Sequence, residues 1–249
     1  MTDYAIFVFY AELNDFLAKP LRFKPIPKKL NGNPSIKDAI ESLGPPHTEI
    51  AAIKANQKYV DFDYRVRAND ECQVFPHSMR DSLDHHFCQA LTPKGIPDFI
   101  LDVHLGGLAR YMRILGFDTV YSAIDMGDKK IADIAHQQQR IVVTRDIGIL
   151  KRTLIQFGIW LRKDQSRMQL AEVVQRYELT PYINPFSRCL CCNGVLVAVS
   201  PNEVANRVPP RIATTHGQFR QCVNCGKVYW PGSHHQRMQM LISKYLSGN

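Results

Sequence analysis

The chain has 249 residues, and its 31 Lys/Arg against 23 Asp/Glu give a formal charge of +8. Hydrophobic content of 45% and charged content of 22% are ordinary for a globular protein and exclude a disordered chain; no apolar run reaches the ~20 residues of a membrane helix. The length points to two domains with room for a small third.

The charge is unevenly spread. Residues 1–100 hold 12 Lys/Arg against 13 Asp/Glu, residues 101–184 hold 12 against 9, and residues 185–249 hold 7 against 1. A cationic C-terminal module suits a phosphate backbone, so nucleic acid is favoured over a merely solubilising surface. The opening residues Met1-Thr2-Asp3-Tyr4 lack the basic and apolar regions of a secretory signal, which predicts a cytoplasmic protein. Five of the seven cysteines follow residue 185, a clustering that favours metal over disulfides. Cys72 and Cys88 stand alone and read as small buried hydrophobes.

In chain order, Tyr4–Tyr10 is an apolar run of strand length. Leu21-Arg22-Phe23-Lys24 precedes a proline-containing loop, and Ser35-Ile36-Lys37-Asp38 opens a helix that Gly44-Pro45-Pro46 stops. Short strands fit Glu49–Lys54, Tyr59–Phe62 and Cys72–Phe75. This ββαβββ order suggests a β-grasp domain over residues 1–78. Residues 79–97 lose periodicity and read as a linker; the adjacent His85 and His86 within it face different directions, so solvated polarity outweighs a shared metal.

Phe99–Asp102 is then a strand ending in a carboxylate. Leu105, Leu108, Met112 and Leu115 mark a helix ending at Gly116, Phe117–Tyr121 is a strand, and Asp128 precedes a helix carrying Ile131, Ile134 and Ala135. Ile141–Thr144 leads into Arg145-Asp146, Gly158–Leu161 is a further strand, and a helix spans about 165–177. Strands alternating with helices predict a parallel α/β layer structure over residues 98–182.

The last segment, 183–249, contains Cys189-Leu190-Cys191-Cys192 and Cys222-Val223-Asn224-Cys225. Zinc takes four tetrahedral thiolates, and each C-x-x-C turn presents two sulfurs on one side of a tight loop. Asn193-Gly194 and Gly226 permit the positive φ that such turns use. Cys189, Cys192, Cys222 and Cys225 are the preferred ligands of a structural Zn²⁺, with Cys191 as the alternative in the first knuckle.

Asp102 and Asp146 each stand at the C-terminal end of a predicted parallel strand, where open α/β sheets gather ligands. With Asp128 they would make an oxygen-rich Mg²⁺ or Mn²⁺ site capable of hydrolysing nucleic acid. Each also has a plain structural reading: Asp128 as a helix cap, Asp102 and Asp146 as loop formers. Arg110, Arg113, Arg145, Lys151 and Arg152 are placed to clamp phosphates, Arg110 and Arg113 sharing one helix face.

Three stretches carry a family resemblance. The run from Leu101 to Thr119 and the run Thr144-Arg145-Asp146-Ile147-Gly148-Ile149-Leu150-Lys151-Arg152 resemble the PIN-like ribonuclease family named after the C-terminal domain of the Mut-seven exonuclease. Pro185–Cys189 and the run Gly226-Lys227-Val228-Tyr229-Trp230-Pro231-Gly232-Ser233-His234 resemble its zinc ribbon. Ala11–Leu17 and Gly44–Glu49 are similar to the ubiquitin-like domain fused to this nuclease. The resemblance implies RNA cleavage by acidic residues that fall on Asp102, Asp128 and Asp146, with Asp125 a weaker fourth. Gly148 stands where many PIN-like domains have a further Asp, and the β-grasp segment lacks the terminal Gly-Gly of sulfur carriers.

The resulting expectation is a metal-dependent endoribonuclease acting on structured RNA such as tRNA, with structural Zn²⁺, catalytic Mg²⁺ or Mn²⁺, and no membrane partner. The β-grasp segment is expected to dock a protein partner and to be dispensable for cleavage. An RNA-binding adaptor without catalysis is the competing reading; a DNA-binding regulator is weaker, since no helix-turn-helix signature occurs.

Overall fold

A computed structural model describes residues 3–231 and Ser243. Two compact units emerge: Met1–Pro93 with Ala135–Trp160, and Lys94–Ile134 with Leu161–Asn249. Among the described residues no helix is long and apolar enough to cross a membrane.

The first unit opens with β1 (Tyr4–Phe9), β2 (Ile26–Lys29), α1 (Ile36–Leu43), β3 (Ile50–Ala55), β4 (Lys58–Val60) and β5 (Glu71–Pro76). Their sheet has the order β2-β1-β5-β3-β4, with β1 parallel to β5 and the other pairs antiparallel. That is the β-grasp arrangement expected from the sequence. Ala5, Phe7 and Phe9 of β1 are buried at the period of two that places one strand face in a core. The Ser35 hydroxyl accepts a hydrogen bond from the Asp38 amide at 3.1 Å, starting α1, and Gly44 ends it at φ 143°.

The second strand lies inside the proline-containing loop. Pro27 sits opposite Ile6 on an edge strand, where a missing N–H removes no bond to a further neighbour. Between β3 and β4, Asn56 and Gln57 both take positive φ (50° and 66°), the conformation of a tight hairpin turn.

The expected linker is docked over its first half. Two 3-10 turns, His77–Ser82 and His85–Phe87, follow β5. Phe87 stacks on Tyr59 with centroids 4.7 Å apart, and the Gln89 amide donates to the Ala51 carbonyl at 2.7 Å. His85 and His86 are both exposed. Cys72 is fully buried, and its thiol is pushed up to about 12 by burial and then by the charge of Asp70. Cys88 is only half-buried.

The remaining elements are β6 (Phe99–Leu101), α2 (Gly106–Ile114), β7 (Thr119–Val120), α3 (Asp128–Gln137), β8 (Ile141–Thr144), α4 (Ile147–Leu150) and β9 (Gly158–Trp160). After them come α5 (Ser166–Arg176), β10 (Leu196–Val199), α6 (Pro201–Val204), α7 (Pro210–Thr215), β11 (Phe219–Cys222) and β12 (Val228–Tyr229).

Parallel strands β8 and β9 belong to the same unit as the β-grasp sheet, a division that runs across the expected domain of residues 98–182. Ile147 and Trp160 pack against the β-grasp core. The Trp160 amide donates to the carboxylate of the fully buried Glu49 at 2.8 Å, and the ring meets Phe16 at 5.0 Å. His47 Nε2 lies 2.6 Å from the Ile155 carbonyl and its Nδ1 2.7 Å from Glu41.

In the second unit β6, α2 and β7 form a parallel βαβ unit around Phe99, Leu108, Met112 and Phe117, all buried. Strands β10, β11 and β12 form a separate antiparallel ribbon. The 29-residue spacer between its cysteine pairs holds α6, which starts on a capping box of Ser200 and Glu203. That Ser-Pro-Asn-Glu signature was open to sequence reading.

Candidate functional site

Each cysteine pair sits on the same backbone hairpin. Cys189 donates its amide to the Gly194 carbonyl at 2.8 Å and accepts from the Asn193 amide at 2.9 Å. Cys222 repeats both bonds with Lys227 at 2.9 Å and Gly226 at 2.9 Å. The turn residue takes positive φ each time, Asn193 at 69° and Gly226 at 71°, which Asn and Gly tolerate best. Gly194 has a second reason to lack a side chain, since a Cβ there would lie 2.8 Å from the Cys222 sulfur.

The two hairpins bring the sulfurs of Cys189, Cys192, Cys222 and Cys225 within 4.8 Å of one another. Cys191 is exposed and outside the cluster, so the register preferred from the sequence is the observed one. Burial opposes ionisation of Cys189, yet hydrogen bonds from the Tyr229 hydroxyl and the Cys192 and Cys191 amides lower it to about 6. Cys192 is pushed up to about 12, by burial first and then, against the Gly194 amide, by its bonds to the other three thiols. A divalent cation bound there would hold all four sulfurs as thiolates, and the all-sulfur donor set fits zinc.

The cluster is bonded into its unit by Arg113. This arginine is 5% exposed. Its Nε and Nη2 donate to the Thr119 carbonyl at 3.1 and 2.8 Å, and its Nη1 donates to the Leu190 and Cys191 carbonyls at 3.3 and 3.2 Å. Burial lowers the guanidinium pKa, and the sulfurs of Cys189, Cys192 and Cys191 work in the opposite direction. Arg113 is therefore not a phosphate clamp, as the helix spacing suggested, but the tie between α2, β7 and the first knuckle. Asn193 adds a second tie, accepting from the Thr119 amide at 2.9 Å and donating to Asp118 at 2.8 Å.

Lys151 also departs from its expected role. Its Nζ donates to the Glu41 carbonyl at the end of α1 at 2.7 Å; burial lowers its pKa, opposed by the charge of Glu41. Arg110, Arg145 and Arg152 are exposed.

The candidate carboxylates stand where the parallel strands end. Asp102 directly follows β6, is 6% exposed, and accepts a bond from the His104 amide at 2.8 Å that winds Val103–Leu105 into a 3-10 turn. Asp146 follows β8 by two residues, is exposed, and accepts from the Gly148 amide at 2.7 Å to start α4. A side chain at position 148 would bring a Cβ to 3.0 Å from that carboxylate oxygen. Asp125 holds the loop before α3 through the Gly127 amide at 2.8 Å, and Asp128 is the first residue of α3 rather than a residue preceding it. Asp102, Asp125 and Asp128 fall in one compact unit and Asp146 in the other.

Comparison with known families gives two matches. The Mut7-C RNAse domain matches residues 97–242, and the Mut7-C ubiquitin domain matches residues 2–82. No curated protein and no solved structure matches the chain. Of the ribbon residues that carried the resemblance, Gly232, Ser233 and His234 lie outside the described residues.

Proposed function

The chain belongs to the Mut7-C RNAse domain family, and from that premise we propose that it is a metal-dependent endoribonuclease. The reading assigns Asp102, Asp128 and Asp146 to a Mg²⁺ or Mn²⁺ site, with Asp125 as a weaker fourth acidic residue, and Zn²⁺ to the four cysteines. The observation that carries it is the position of Asp102 and Asp146 at the C-terminal ends of parallel strands within the RNAse match.

A hard divalent cation held by such carboxylates lowers the pKa of a bound water and offsets charge on the leaving oxygen. The chain's own part is positional. Backbone amides of His104 and Gly148 fix one oxygen of Asp102 and of Asp146, so neither carboxylate has to be ordered when a cation arrives. Arg110, Arg145 and Arg152, all exposed, are the residues assigned to holding phosphates. The same amide bonds would serve an RNA-binding adaptor that merely caps its helices.

A circular RNA carrying internal label separates these readings and also tests for cuts away from ends. The purified, zinc-loaded chain should linearise the circle when Mg²⁺ or Mn²⁺ is added and leave it intact when neither is. An intact circle in every condition, with RNA binding retained, would establish the adaptor instead.

A further inference from the structure

The zinc ribbon carries a cleft that the acidic site does not use. It encloses about 320 Å³, at the small end of ligand-binding cavities, and its walls include Phe186, Arg188, Gln218, Arg220, Tyr229 and Trp230. Pro185, Leu190, Leu196 and Pro231 complete the lining, so aromatic and aliphatic residues stand beside two arginines and one glutamine.

The walls are held from behind. Tyr229 packs against Cys189, Leu196 and Cys222, and its hydroxyl lies 3.1 Å from the Cys189 sulfur while accepting from the Leu190 amide at 3.1 Å. Trp230 packs on the cluster of Val204, Val208 and Phe219. Arg220 pairs with Ala198 on one side and Tyr229 on the other across the three-stranded ribbon, so these three occupy one row, with the small Ala198 leaving room beside the guanidinium. The cysteine cluster thus fixes one aromatic wall of the cleft.

The charges select among occupants. Arg188 is matched by Asp118 at 2.9 Å. Arg220 is exposed and gives one donor to the Phe186 carbonyl at 3.1 Å, out of the five that a guanidinium carries. The segment 185–249 holds 7 Lys/Arg against 1 Asp/Glu, and four thiolates on one Zn²⁺ reduce that excess only by two charges. An aromatic cleft with a cation at its rim in a basic segment is the construction that stacks a nucleobase and holds its phosphate, and Gln218 adds an amide able to pair with a base edge.

We propose that this cleft binds one unpaired nucleotide of RNA, its base against Tyr229 or Trp230 and its phosphate on Arg220, so that the ribbon recognises single-stranded segments of the substrate. The inference rests on the ribonuclease reading for its choice of RNA as ligand. A base within a duplex has no exposed face to stack, so continuous double helix is excluded from the cleft.

The test is fluorescence anisotropy of a labelled, cleavage-resistant 2′-fluoro pentanucleotide against the full zinc-loaded chain, without added Mg²⁺ or Mn²⁺, beside a blunt duplex of the same chemistry. Trp230→Ala and Arg220→Ala should each weaken the single strand by roughly ten- to a hundredfold, Trp230→Phe should restore most of the loss, and the duplex should bind weakly to all of them. Zinc content reports whether the ribbon has kept its fold; if Trp230→Ala loses metal, Arg220→Ala, changed at an exposed position, decides. Wild-type affinity in a zinc-loaded Arg220→Ala, or preference for the duplex, overturns the proposal. Cleavage of the circular RNA by a chain whose cleft variants bind normally would remove the cleft and leave the nuclease. Binding as described by a chain that never cleaves would do the reverse.

Discussion

Arg110 and Arg113 are one turn apart on α2 and meet different surroundings, the first exposed and the second buried. Three residues of spacing put two arginines on one helix face, but the spacing says nothing about what that face meets. The partners of Arg113 are carbonyls of Thr119, Leu190 and Cys191, two of them over 70 residues away in sequence, so its role was illegible. Arg113→Met should cost about 2–4 kcal/mol, since it leaves several carbonyls without a donor, whereas Arg110→Met should stay within about 0.5 kcal/mol. Urea unfolding of the two variants measures the difference, and equal costs would contradict the tie described for Arg113. The cysteines were legible because their chemistry is local: two C-x-x-C turns define a donor set before any fold is known. Metal analysis should give one zinc per chain in wild type and Cys191→Ser and markedly less in Cys192→Ser; the reverse order would mean that the first knuckle uses Cys191.

At the scale of elements, the strand and helix order was readable almost throughout up to α5, because period-two burial in β1 and three-to-four spacing in α2 are written in adjacent residues; no strand or helix of the cysteine ribbon was read. The strand at Ile26–Lys29 was hidden by Pro27, which reads as a loop unless the edge position is known. The segment from β8 to β9 raises a different matter. Its own strands were expected, but its packing was not: Trp160 on Phe16 and Glu49, Lys151 on Glu41, and Ile155 on His47 are pairings more than 100 residues apart in sequence. The expectation that residues 1–96 are dispensable concerns cleavage; these contacts bear on stability. A chain starting at residue 97 would expose Ile147 and Trp160 and leave the Trp160 amide and the Lys151 ammonium without these partners. It should melt at least several degrees below the full chain, as a loss of 1 kcal/mol alone shifts a domain of this size by about 2–4 °C. An unchanged melting temperature in the truncated chain would show that the β-grasp sheet does not stabilise this segment.

For the whole molecule, the sequence carried the three kinds of structure present: a β-grasp sheet, parallel βαβ units and a cysteine ribbon. It did not carry which side chains meet across long separations, because such pairings leave no mark in local periodicity. The acidic group has the opposite status. Asp102 and Asp146 were found from strand-end position alone, and each is observed at such an end, anchored by a backbone amide. Whether that anchoring serves catalysis or only helix starts is decided by charge. The direct measurement is cleavage of RNA by Asp146→Asn with Mg²⁺ or Mn²⁺ supplied, beside its RNA affinity. The substitution keeps an oxygen able to accept from the Gly148 amide while removing the charge a hard cation requires. Cleavage should fall by at least about a hundredfold with affinity kept or slightly raised, since one source of phosphate repulsion is gone; a variant that cuts at the wild-type rate would contradict the assignment of Asp146 to the metal site.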